Sequence, residues 1–429
     1  MSRRCSLLFD PTRSGQHAGH IKDKVNTERK PRMKKLEARF RIVTPMFLGG
    51  ADQKADTVRP ASVKGALRFW WRALNWSRCL EQKAGNEVDA LKCLHGDEAR
   101  LFGIAAGDDN GGQGIFLLQV CGQKITLADQ PFKPLESGQL YLLGQGLANY
   151  KNSCTRNAIR EGGEFSVKII FRPNSSEQDV KQVSDALFLF GLLGALGSRA
   201  RHGLGSVALI EWNAEKITHT AQQYTDALEA LLKNANARTE PPFTAFSDLT
   251  RIDVSSTNVD ALKLLNDIGL EQQMYRSYGR ADEKDGNIYK VNRQKAEQNF
   301  EDDHHLIYSA TKQDVCIDRA PRRTVFGLPH NYSFSNTSAK VEVNYNGPDK
   351  KAGRRASPLS LHIHPVGEQF IAVHVLLQAK FLPEKEEISV SVKGLRPVDV
   401  PSAPDWQVLH DYLNRYVDKN IGDTIHGGK

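Results

Sequence analysis

An apolar run that breaks into a glycine-rich turn, between Val183 and Trp212, constrains the fold most. Val183, Ala186, Leu187, Phe190, Leu193 and Gly194 recur at helical spacing, whereas Ser206 to Trp212 is β-branched and apolar enough for a buried strand. The stretch Gly191-Leu-Leu-Gly194-Ala-Leu-Gly197-Ser-Arg199-Ala-Arg201-His202-Gly203-Leu-Gly205 therefore sits in a helix-to-strand crossing. Gly197, Gly203 and Gly205 permit positive φ and close backbone approach, so turn amides can line an anion-sized concavity. Arg199, Arg201 and His202 stand inside it. The loop leaves the C-terminal end of its helix, where the macrodipole is negative, so anion affinity has to come from the arginines and the amides. The competing bland reading is a tight connection whose glycines serve packing and whose arginines are solvated.

Upstream, Leu36, Ala38, Phe40 and Ile42 alternate with Glu37, Arg39 and Arg41 as a half-exposed strand. Arg59 to Leu74 reads as a helix capped by Ser62, with Val63, Leu67, Trp70, Trp71 and Leu74 as its buried stripe. On that helix Lys64, Arg68 and Arg72 stack at four-residue spacing with no acid between them, at a cost of about 0.2–0.5 kcal/mol for each like-charge pair. A helix that accepts this is expected to need the row for an anion. The alternative is a solvated basic face. Gly107 to Gly114 reads as a flexible loop, Ile115 to Val120 and Phe165 to Phe171 as strands, and Cys121 to Gly163 as a polar insertion between them. With the Asp179 to Leu196 helix and the Ser206 to Trp212 strand, the order is βαββαβ, the ferredoxin-like plan.

A chain of 429 residues is long enough for two domains. Residues 33–213 are expected to form the first, 214–242 a connector that is helical from Ala214 to Ala235, and 243–429 a second ferredoxin-like copy. That copy would use Leu249 to Val254, Asn258 to Gly279, Ala339 to Tyr345, Ser357 to His364, Phe370 to Phe381 and Asp405 to Val417. No strand is legible after its last helix, which leaves room for a rearranged second copy. The expected class is α+β, two tandem ferredoxin-like (RRM-like) domains.

Net charge is +8, yet residues 1–41 hold 12 Lys and Arg against 4 Asp and Glu, so everything after Arg41 is neutral on balance. Any basic surface on the body must be local. Residues 1–32 show no periodicity and read as a disordered basic tail. Met33 reads as a plausible native start. No apolar run approaches the ~18 residues of a membrane span. Six scattered cysteines without a Cys-x-x-Cys pair argue for reduced thiols and against a structural zinc. A cytoplasmic protein without metal or cofactor is expected. Asp302-Asp303-His304-His305 and His362-Ile-His364 are the most metal-like clusters, and neither has the spacing of a known hydrolase helix motif.

Pro60-Ala-Ser-Val-Lys64-Gly-Ala-Leu-Arg68-Phe-Trp70-Trp71-Arg72 on the first helix, with Gly197-Ser-Arg199-Ala-Arg201-His202-Gly203-Leu-Gly205-Ser before the last strand, resembles the RAMP superfamily of CRISPR proteins. Within it, the chain is similar to the first-numbered RAMP subunits of Cmr (type III-B) effector complexes. The runs Arg319 to His330, with Arg322 and Arg323, and Arg354-Arg355-Ala-Ser-Pro358 also look like that family. The resemblance implies a non-catalytic RNA-binding subunit that contacts guide and target RNA and other Cmr subunits. It would help capture target RNA near the guide 3′ end. The contact set is Lys64, Arg68, Arg72, Gly197, Arg199, Arg201, His202, Gly203 and Gly205, extended by Arg322, Arg323, Arg354 and Arg355. Two alternatives stand beside it. One is a metal-independent guide-processing endoribonuclease with His202 as base, for which no second acid/base partner is evident. The other is a purely architectural subunit.

Overall fold

The computed structural model describes residues 33–105, 112–149, 151, 153–278, 290–312, 317–334, 337–347 and 352–427. The expected N-terminal tail and most of the Gly107 to Gly114 loop lie outside these residues.

The first unit runs β1 (Lys35–Ile42), α1 (Pro60–Gln82), α2 (Glu87–Phe102), β2 (Phe116–Lys124), α3 (Ser137–Leu143), β3 (Glu164–Phe171), α4 (Glu177–Leu193) and β4 (Val207–Trp212). Its antiparallel sheet has the order β2-β3-β1-β4, the ferredoxin-like arrangement. Register in the central pair places Phe40 opposite Phe165, and both rings stack at 5.4 Å beneath Phe190 of α4. α1 begins at Pro60, whose fixed φ and missing N–H suit the first turn, so Arg59 and not Ser62 occupies the cap position. α4 carries the stronger start, a capping box between Ser176 and Asp179. The helix α2 is an addition that the sequence reading did not contain.

A connector helix α5 (Ala221–Leu232) leads to β5 (Thr250–Asn258), α6 (Ala261–Arg276), α7 (Glu301–Ser309), β6 (His330–Ser333), β7 (Lys340–Asn346), β8 (Leu359–Val366), β9 (Gln369–Leu377), β10 (Ile388–Val392), β11 (Val398–Val400), α8 (Gln407–Asp418) and β12 (Gly422–His426). The main sheet here is β8-β9-β5-β12, so the plan of the first unit repeats. The second copy is therefore not rearranged: β12 is the strand missing after the last helix. It escaped notice because Gly-Asp-Thr-Ile-His is short, polar and held on one side only, by β5. Strands β6, β7, β10 and β11 form a separate small sheet built from insertions, so the expected Ala339 to Tyr345 strand belongs to that sheet and not to the ferredoxin plan.

Two apolar clusters each draw residues from both copies. One face of β9 sends Ile371, Val373, Val375 and Leu377 into the apolar cluster of α1, α4 and α5, while Ala372 and Leu376 pack with α6 and α8. The layers are thus sheet, helices, sheet, helices, and the second sheet is covered on both faces. The insertion between β2 and β3 adds a clamp: α3 lies against α6 so closely that a Cβ on Gly138 would stand 1.9 Å from the Asn266 carbonyl oxygen. Gly138 N–H donates to Asn266 Oδ1 at 2.9 Å, and Gln139 Nε2 donates to the Leu262 carbonyl at 2.9 Å.

Candidate nucleic-acid interface

The glycine loop between α4 and β4 lies in the seam between the copies. Gly197, Gly203 and Gly205 have φ of +94°, +78° and +66°, and Arg199 also adopts +61°. Each glycine is needed for space as well. A Cβ would stand 2.7 Å from the Phe47 carbonyl oxygen at Gly197, 2.8 Å from Leu265 Cδ1 at Gly203 and 2.0 Å from the Leu196 oxygen at Gly205. Several loop amides are spent internally: Ser198 donates to Phe47, Gly205 to Pro45, Leu196 to Gly205 and His202 to Arg199. Those amides, Gly205 among them, are not available to an anion, which narrows the expected cradle of turn N–H groups to the rest of the loop. The glycines shape the loop, and the arginines are what it presents.

They present into a groove of 750 Å³ between the copies. Arg199, Arg201 and His202 line one wall, and Arg354 and Arg355 line the other. The far wall is tied together by paired backbone bonds between Leu328 and Arg355, so two separate arginine runs of the sequence meet there. Arg276, in the last turn of α6, and His330 also line it; sequence reading missed Arg276 and named His330 only as the end of the run from Arg319. The only signal for Arg276 was a cation closing a helix. The groove holds five arginines and, among the described residues, no carboxylate.

Arg199, Arg201, Arg276 and Arg355 are oriented by the protein. Arg199 Nε donates to the Leu143 carbonyl at 3.1 Å, Arg201 Nη1 donates to the Ser357 carbonyl, and the Arg201 guanidinium lies 5.5 Å over the Phe69 ring. Arg276 covers Phe326 at 4.3 Å and Arg355 covers Phe381 at 5.7 Å. Burial lowers Arg201 to about 10, assisted by the nearby Arg355 charge, so the group stays cationic at neutral pH. Burial, then the Arg199, Arg276 and Arg201 charges, push the His202 imidazole down to about 3. It is neutral at pH 7 and a weak base toward a 2′-hydroxyl.

The other expected contacts lie elsewhere. Arg68 and Arg72 face α2, where Glu98 Oε1 accepts from Arg72 at 2.7 Å and lies 3.4 Å from Arg68 Nε, while the Lys64 ammonium lies 5.9 Å over the Phe116 ring of β2. The acid absent from α1 is supplied by its neighbour. Arg322 pairs with Asp405 at 2.7 Å, and Arg323 lies 3.7 Å from buried Asp303 and 5.1 Å over the Tyr332 ring. Neither lines the groove. Asp303 accepts the amides of Arg322 and Arg323 at 2.7 and 2.8 Å, so it caps a short 3₁₀ turn. His362 and His364 do share one strand face, 3.2 Å apart and fully buried against Tyr224 and His219. Among the described residues, no helix is long and apolar enough to cross a membrane.

Two ferredoxin-like units around a glycine loop define the class, and the RAMP superfamily profile matches residues 39–208, from β1 into β4. That match spans 170 of the 429 residues. The CRISPR system Cmr subunit Cmr1-2 of Pyrococcus furiosus is 26% identical over 182 residues, 38% of this chain and 89% of that protein. The crystal structure of Cmr1 from Pyrococcus furiosus in its apo form shares the fold at a TM-score of 0.52 and 17% identity, over 92% of this chain and all of that one. A chain of the type III-B Cmr-beta complex bound to cognate target RNA aligns at a TM-score of 0.48 and 12% identity, over 90% of this chain and 99% of its own.

Proposed function

We propose that the chain is a non-catalytic RNA-binding subunit of a Cmr, type III-B CRISPR, effector complex. It works in the cytoplasm beside other Cmr subunits and helps capture target RNA near the guide 3′ end. The observation that carries this reading is the groove: five arginines from both copies converge on a channel that holds no carboxylate among the described residues, the arrangement a polyanion requires. The similarity to Cmr1-2 supplies the complex, and the groove supplies the contact.

The arginines would hold sugar-phosphate, which positions a strand without reading it, so sequence selection falls to base pairing with the guide. The open face of the first sheet is less suited. There Lys168 pairs with Glu37 at 3.2 Å, and Arg39 pairs with Glu211, so charge is neutralised where an RRM would present stacking rings. His202 serves better as a neutral hydrogen-bonding group than as a base, which favours binding over cleavage.

The test is binding of the full chain to single-stranded RNA over a salt series with EDTA present, with the RNA then run on a denaturing gel. Salt-dependent binding to intact RNA supports the reading. Cut RNA that becomes intact in His202→Ala would establish the nuclease instead, and absence of binding would leave an architectural subunit.

A further inference from the structure

The cysteines are scattered in the sequence, but helix packing brings two of them together with a carboxylate. Cys79 lies in α1, and Cys93 and Asp97 are one turn apart on α2. Their two sulfurs and a carboxylate oxygen all lie within 4.8 Å of one another. Cys79 is fully buried, whereas Cys93 and Asp97 are half-exposed, so the cluster opens to solvent on one side. Arg78 fixes its rim. It donates to Asp97 Oδ2 at 2.7 Å, to Gln82 Oε1 at 3.2 Å and to Asn75 Oδ1 at 3.1 Å. The Gln82 oxygen in turn lies 3.6 Å from Cys93 Sγ.

We propose that Cys79, Cys93 and Asp97, with Gln82 Oε1 in the fourth position, bind one borderline-soft divalent cation of the zinc type. Two sulfurs and two oxygens suit such an ion. Bonds of about 2.3 Å to sulfur give tetrahedral edges of about 3.8 Å, so side-chain rotations closing the cluster by about 1 Å complete the site. Charge balances. Binding exchanges two thiol protons for one doubly charged ion, which leaves the local net charge, including the Arg78–Asp97 pair, as it was. Arg78, donating to Asp97 and Gln82, is the outer-shell group that would orient both oxygen ligands. The ion would pin α2 to α1 beside Glu98, the residue that answers Arg68 and Arg72. This site is independent of the RNA-binding reading.

The experiment is titration of the chelator-stripped full chain with Zn²⁺ against a chromophoric competitor, followed by alkylation and peptide mapping. One equivalent of zinc per chain is expected, with Cys79 and Cys93 protected from alkylation and Cys121, outside the cluster, not protected. Cys93→Ser, at a half-exposed position, should abolish stoichiometric binding and the protection of Cys79. Asp97→Asn, which leaves both thiols in place, should weaken binding at least tenfold. Absence of stoichiometric zinc, zinc retained by Cys93→Ser, or a Cys79–Cys93 disulfide forming in its place would overturn the proposal.

Discussion

The backbone N–H of Leu361 donates to the carbonyl of Arg201 at 2.9 Å, a bond that joins the glycine loop of the first copy to a central-layer strand of the second. The guanidinium at the same loop position reaches across to Ser357. One residue thus fastens the two copies and lines the groove between them.

Gly205 is the loop position least tolerant of a side chain, combining φ of +66° with a carbonyl oxygen 2.0 Å from the site of a Cβ. Gly205→Ala should lower unfolding stability by about 2 kcal/mol or more, because neither strain nor contact can relax alone. Urea denaturation checks this, and a loss under about 0.5 kcal/mol would mean that the loop adapts.

The basic row on α1 is expected to matter for stability more than for RNA. Glu98 is largely buried and serves both Arg68 and Arg72, so Glu98→Gln leaves two guanidiniums facing each other. Thermal unfolding should fall by several degrees, while Arg68→Ala with Arg72→Ala should change RNA affinity less than twofold. A large loss of affinity in that pair would return the row to the contact set.

How much of this was legible follows from what each segment buries. Strand β1 alternates without exception because one face is core and the other water, and the glycine loop announced itself by composition. Helix α2 buries only Ala90, Leu94, Leu101 and Phe102 and carries charge between them, so its periodicity is faint. The groove was half visible. Arg199, Arg201, Arg354 and Arg355 could be singled out one by one, but their convergence depends on how the second sheet packs, and no local pattern encodes that. The same limit hid Glu98, which meets Arg72 across 26 residues.

A buried ion pair in β5 offers a separate test of the second copy. Arg251 and Asp253 are both buried, with Nη2 to Oδ2 at 2.8 Å, and Arg251 Nη1 also donates to Asn414 of α8 at 2.7 Å. Arg251→Met strands a buried carboxylate and should cost about 3–5 kcal/mol. The double change Arg251→Met, Asp253→Leu should recover most of that loss, as measured by denaturant unfolding of both variants.

Stability should fall as pH drops below neutrality. Burial pushes His362 and His374 down to about 3, and burial with the neighbouring His362 and His219 lowers His364 as well. A folded pKa below the unfolded value of about 6.5 means that the unfolded chain takes up protons first. The contribution is therefore complete above about pH 6.5 and is lost below it, at up to about 1.4 kcal/mol per histidine per pH unit. Denaturation midpoints between about pH 7 and 5 should decline steeply, and a flat profile would contradict the buried neutral cluster.

The central claim is that RNA backbone lies in the arginine groove between the copies. Its most direct measurement is the salt dependence of single-stranded RNA binding for the intact chain and for Arg199→Ala with Arg354→Ala, one residue from each wall. The account predicts a weaker complex whose log–log salt slope is flatter by about 0.7 for each lost phosphate contact. An unchanged affinity and slope in a folded double variant would place the RNA elsewhere.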